Sequence, residues 1–107
     1  MRLPDNIRNE AGFALDLAQK GELAPCAIPM SGFRGTKVVE IVMDHRGDTF
    51  RVVYTVKLAG NVYVLHAFQK KSKRGAKTPS SDMELIKSRL QDAEYHFRNE
   101  AMRDDRK

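Results

Sequence analysis

The stretch "TFRVVYTVKLAGNVYVLHAFQKK", Thr49–Lys71, decides the fold. Two runs rich in β-branched and aromatic residues, Thr49–Leu58 and Val62–Lys71, flank the short loop Ala59-Gly60-Asn61, whose glycine can take positive φ. That pattern reads as a β-hairpin. Alternation along the first run puts Phe50, Val52, Tyr54, Val56 and Leu58 on one face, and Thr49, Arg51, Val53, Thr55 and Lys57 on the other. The first set is the more apolar, so it is expected beneath the helices. A three-residue loop groups Val62, Val64, His66, Phe68 and Lys70 with that set, and Tyr63, Leu65, Ala67, Gln69 and Lys71 with Arg51. A two-residue loop would exchange the groups. The three-residue register is preferred because it gathers Val62, Val64 and Phe68 beside Phe50 and Val52. It also sets Arg51 and Lys71 together on the less covered face, with no acid in either strand. Two neighbouring cations repel unless an anion or water lies between them, which marks the pair as a candidate anion site.

Outward from the hairpin, "KVVEIVM" (Lys37–Met43) reads as a further strand and "DHRGD" as the turn after it. The span 37–71 is then a three-stranded antiparallel meander. On the N-terminal side, within 1–21, a helix is expected from Pro4 to Lys20. Proline suits its first turn, Ile7, Ala11, Ala14, Leu15 and Ala18 recur at helical spacing, and Gly21 is a stop signal. The segment Gly21–Gly35, with two prolines and three glycines, reads as a loop with room for a helical turn. A C-terminal helix is expected over 78–102. Thr78 can cap it, Pro79 fits its first position, and Ser81 with Glu84 offers a capping box. Met83, Ile86, Leu90, Ala93 and Phe97 form its core stripe. The expected fold class is α+β: one domain over 1–107, with an antiparallel sheet of about three strands and helices packed on one face.

The length, 107 residues, suits a single small domain with a modest core. No apolar run approaches the roughly 20 residues of a membrane span, and the polar start "MRLPDNIRNE" does not read as a secretory signal. Cys26 is the sole cysteine, so neither an internal disulfide nor a CxxC metal site is expected, and a reducing cytoplasm fits. No metal, no Gly-rich phosphate loop and no Ser-His-Asp pattern is read, and no cofactor is expected. The net charge is +5, from 19 basic and 14 acidic residues. Lys70, Lys71, Lys73, Arg74 and Lys77 fall within eight positions with no acid among them, and without them the charges balance. Clustered charge of one sign attracts polyanions, above all nucleic-acid phosphates. A solvated basic loop with no ligand is the alternative.

Phe50-Arg51-Val52-Val53-Tyr54, then Val62–Ser72, then Thr78-Pro79, together with "GFALDLAQKGE" (Gly12–Glu22), resemble the RelE/HigB superfamily of bacterial type II toxins. The likeness is specifically to its phage-associated HigB-like branch and covers roughly Leu3–Glu94. The resemblance implies a RelE-like compact domain and a ribonuclease that cuts mRNA on the translating ribosome. It implies a cognate helix-turn-helix antitoxin, a cytoplasmic location and no membrane partner, and it leaves room for a homodimer. The family's strand arginine maps onto Arg51, and the basic residue ending the next strand maps onto Lys71. Where relatives often carry a basic strand residue, "VVEIVM" offers Glu40 as its one charged group.

The chemistry implied is attack of the ribose 2′-OH on the adjacent phosphate, which needs no metal. Arg51 is expected as phosphate clamp, with a cross-strand salt bridge, for which Glu40 is the near candidate, or a solvated strand residue as its alternatives. Lys71 is expected as its catalytic partner. His66 is the candidate general acid or base, with a hydrogen-bonded core histidine as the alternative. Lys70, Lys73, Arg74 and Lys77 are expected to hold RNA backbone. A protein of the same fold that binds RNA or the ribosome without cutting is the second functional expectation.

Overall fold

The computed structural model describes residues 3–33, 35–58, 61–70 and 78–105. The elements are α1 (Asp5–Gln19), β1 (Ala27–Pro29), β2 (Lys37–His45), β3 (Asp48–Leu58), β4 (Asn61–Lys70) and α2 (Ser80–Asp105). The strands lie in chain order, β1-β2-β3-β4, and every neighbouring pair is antiparallel. The α+β class with an antiparallel sheet is therefore as expected.

Helix α1 buries Ile7, Ala11, Ala14 and Ala18, one stripe at spacings of three and four. It ends where Gly21 adopts φ +83° and the amides of Lys20, Gly21 and Glu22 close onto Leu17 and Ala18 carbonyls. The segment expected to be loop instead contains β1, the fourth strand. Its ladder is three residues long and ends at Pro29, opposite Val39. Proline donates no N–H, so it is confined to an edge such as this, and its presence is what makes the segment look like loop. Between β2 and β3, Arg46 (φ 49°) and Gly47 (φ +85°) form a two-residue turn with both φ positive, as a tight hairpin requires.

The β3–β4 register corrects the expected one. Near the loop, Val56 faces Val62 and Tyr54 faces Val64, so these residues share a face as anticipated. Between Val53↔His66 and Tyr54↔Val64 the register shifts, and Leu65 is an extra residue on β4. Such a bulge inverts every later side assignment. Phe68 lies opposite Arg51, and His66 opposite Val53; neither joins Phe50 and Val52. Alternation alone carries no sign of an inserted residue, because the residues on both sides of it still alternate.

The helices pack on opposite faces rather than on one. Against α1 lie Val39, Ile41, Met43, Phe50, Val52 and Tyr54. Against the other face, α2 brings Ile86 and Leu90 onto Val38, Val53, Leu65 and Phe68. Val38 to Met43 is a run buried on both sides, interrupted in polarity by Glu40 alone. A strand that is apolar on both faces needs cover on both faces, and the sheet face that carries Arg51 is the one α2 covers.

Candidate functional site

Beneath α2 the sheet carries a polar layer set into an apolar core. Arg51 sits mid-β3, opposite Val42, and Glu40 is its diagonal neighbour on β2. Arg51 Nη1 donates to Glu40 Oε1 at 3.1 Å. The Arg51 side chain is 3% exposed and that of Glu40 9%. Thr78 Oγ1 donates to the other carboxylate oxygen, Glu40 Oε2, also at 3.1 Å. Both oxygens of Glu40 are thus engaged, one by the sheet and one by the residue that leads into α2. The expected less covered face around Arg51 is corrected: its side chain is buried on the sheet face where α2 packs, and Glu40 supplies a counter-anion from within the chain. Burial leaves a guanidinium little choice, because removing its partner would strand a charge in a poorly solvated layer.

Thr78 had been expected to cap α2. Its hydroxyl goes to Glu40, and the first helical turn closes instead through the Met83 amide on the Pro79 carbonyl, 2.9 Å. At the neighbouring end of β3, Thr49 Oγ1 donates to Asp44 Oδ1 at 3.2 Å.

His66 forms a second polar group on the same face. Its Nε2 lies 2.8 Å from Asp82 Oδ1, and its Nδ1 lies 3.0 Å from Arg89 Nη1. An arginine can only donate, so Nδ1 accepts and the Nε2–H donates to Asp82. This is the neutral imidazole in one defined tautomer. The ring stacks on Phe68, with centroids 4.9 Å apart and an 18° interplanar angle. Arg89 Nη1 also donates to the carbonyl of the bulge residue Leu65, 2.9 Å. The two ring nitrogens are therefore both in use, which matches the hydrogen-bonded alternative for His66, although it faces α2 rather than the core under α1.

Of the other expected site residues, Lys70 ends β4 with its backbone opposite Thr49. Lys71, Lys73, Arg74 and Lys77 lie outside the described residues, and so does any approach of Lys71 to Arg51. Sequence reasoning did not single out Asp82 or Arg89. The signal was present: they are seven residues apart, two helical turns on one face, and flank the core positions Ile86 and Leu90.

On the α1 side, Tyr54 is fully buried, and its hydroxyl finds no hydrogen-bond partner among the described residues. Burial, with the Cys26 thiol nearby as a smaller cause, pushes its phenol above the usual value. Among the described residues no cluster of His, Cys, Asp and Glu could hold a metal ion, and no helix is long and apolar enough to cross a membrane.

A family model described as "Phage derived protein Gp49-like" matches residues 1–91, which takes in the whole sheet, α1 and the first half of α2. No curated protein and no solved structure matches the chain.

Proposed function

Since the chain belongs to the phage-derived Gp49-like family, a family found in toxin–antitoxin systems, we propose that it is the toxin of a type II toxin–antitoxin pair. In this reading it is an endoribonuclease of the RelE/HigB kind that cuts mRNA on the translating ribosome in the cytoplasm. The observation that carries the reading is the charge distribution: the whole net +5 equals the five cations between Lys70 and Lys77, at the end of β4. A polyanion fits that segment better than any small neutral ligand does.

The reaction that suits such a segment is transesterification. The 2′-oxygen attacks the adjacent phosphorus, its proton leaves to a base, and a 2′,3′-cyclic phosphate forms. The 5′-oxygen departs and takes up a proton. Cations stabilise the charge that builds on the phosphorane oxygens. Lys70, Lys73, Arg74 and Lys77 hold backbone phosphates, and Lys71 stands among them as the proton carrier. Crowding among cations favours the neutral amine, which is the form that accepts a proton.

Arg51 enters this reading through Glu40 and Thr78, whose bonds brace the sheet against the start of α2. A helix-turn-helix antitoxin would neutralise the basic segment by complementary charge.

A second reading, an RNA- or ribosome-binding module that does not cut, is favoured by one observation. The two described residues with the best catalytic chemistry, Arg51 and His66, are both bonded within the protein. Induced expression followed by mapping of transcript 5′ ends separates the two. Growth arrest with new ends inside coding sequence supports the endoribonuclease. Arrest with intact transcripts supports the binding module, and no arrest removes the toxin assignment.

A further inference from the structure

Arg89 is held by one end of its guanidinium. Nη1 donates to the Leu65 carbonyl at 2.9 Å and contacts His66 Nδ1 at 3.0 Å. These two bonds take both hydrogens of that nitrogen. The residue is nonetheless exposed, and among the described residues no other group binds it. Its Nε–H and Nη2 hydrogens remain, and that edge is the fork that meets two oxygens of a phosphate or carboxylate.

An ordinary surface arginine loses much rotamer freedom on binding. Here the protein has already restricted it. The bulge at Leu65 turns a carbonyl toward α2, and His66 presents Nδ1 because Asp82 occupies its Nε2. Stacking on Phe68 fixes the plane of the His66 ring. The platform thus draws on both β4 and α2, and its outermost group is a cation.

Its anchor on β4 lies on the strand that ends at Lys70, where the basic segment begins in the sequence. His66 precedes Lys70 by four residues on β4, about 13 Å at the usual strand rise. A single-stranded chain of a few nucleotides spans that interval. We infer that Arg89 is a further RNA phosphate contact, a guanidinium fork oriented by the Leu65 carbonyl and His66, on a track along β4 toward its last residue, Lys70. This rests on the RNA-directed reading above. That the strand anchoring Arg89 ends at the first residue of the basic run favours a phosphate over the carboxylate of a protein partner.

The test uses the full chain and a single-stranded RNA of about twelve nucleotides, within the usual site size of such grooves. Kd is measured over a range of salt for wild type, Arg89→Gln and Arg89→Lys, with Tm for each. Loss of one phosphate contact lowers the slope of log K against log salt by about 0.7 for a single strand. Arg89→Gln should show that drop, and Arg89→Lys should restore the slope with only part of the affinity. Arg89→Met keeps the apolar stem and replaces Arg89→Gln if the latter does not fold.

Wild type that fails to bind RNA overturns the RNA-directed reading and this inference with it. Wild type that binds, with an unchanged slope in the uncharged variant, overturns this inference alone; a fall in Tm would then make Arg89 a brace of α2. An unchanged slope with lost binding to a helix-turn-helix antitoxin would assign the fork to a protein carboxylate and overturn it likewise.

Discussion

Arg51 and Glu40 form a buried ion pair, 3.1 Å from Nη1 to Oε1, and Thr78 donates to the same carboxylate. Three separate chain segments therefore meet on one carboxylate. β3 supplies the cation, β2 the anion, and Thr78, two residues before α2, the hydroxyl. This makes Glu40 the joint between the sheet and the end of the basic segment.

Breaking the pair should cost stability before it costs anything else. Arg51→Ala and Glu40→Ala each break the buried pair from one side, an expected loss of about 3–5 kcal/mol. The combined change Arg51→Met with Glu40→Leu removes both charges and should recover most of that loss. Urea unfolding of the three variants checks it. Two singles that unfold at the wild-type midpoint would show that the pair contributes little.

Thr78→Val removes one donor and nearly conserves volume. The Glu40 oxygen it leaves is charged and poorly hydrated, so the expected loss is about 1–3 kcal/mol. Thr78→Ser should restore most of it. Thermal melts of both variants give the comparison, and equal losses for valine and serine would place the effect in packing rather than in the hydroxyl.

The basic segment should act through counterion release. Replacing Lys70, Lys73 and Arg74 together with alanine should lower the salt slope of RNA binding by about 2 if each touches a phosphate. Binding measured between low and physiological salt reads this directly. A slope equal to that of wild type would return the segment to a solvated loop.

Tyr54 predicts behaviour at high pH. Its folded pKa lies above the ordinary 10.0, mainly because burial disfavours the phenolate. Above pH 10 the unfolded chain releases this proton while the folded chain retains it, so the stability it contributes is present below that pH and is lost as pH rises further. Tyr54→Phe should remove this part of the alkaline loss. At neutral pH it should also raise stability by about 1 kcal/mol, since a buried hydroxyl without a partner carries a desolvation penalty. Stability against pH for the two proteins tests both statements; a destabilised phenylalanine variant would show that the hydroxyl is satisfied.

Local chemistry made several features legible in the chain itself. Three strands, both helices and the positive-φ stop at Gly21 follow from β-branched runs, apolar spacing and glycine placement. Charge clustering located the basic segment, because like charges adjacent in sequence stay adjacent in any fold. Glu40 was also visible as a candidate partner for Arg51, the one charged residue of "VVEIVM".

What depended on contacts between distant segments needed the tertiary structure. Strand β1 exists through its pairing with β2, and its proline conceals it from propensity. The Leu65 bulge inverts the face on which His66 and Phe68 lie, since an inserted residue leaves the alternation on either side intact. The placement of α2 opposite α1 turns an apparently open arginine into a buried one. The Asp82–His66–Arg89 group joins residues 16 and 23 positions apart in sequence. The residues themselves determined the elements and the charge. The packing of α2 on the second sheet face decided that Arg51 and Glu40 are braced inside the fold, because burial is a property of the assembled layers and not of any one strand.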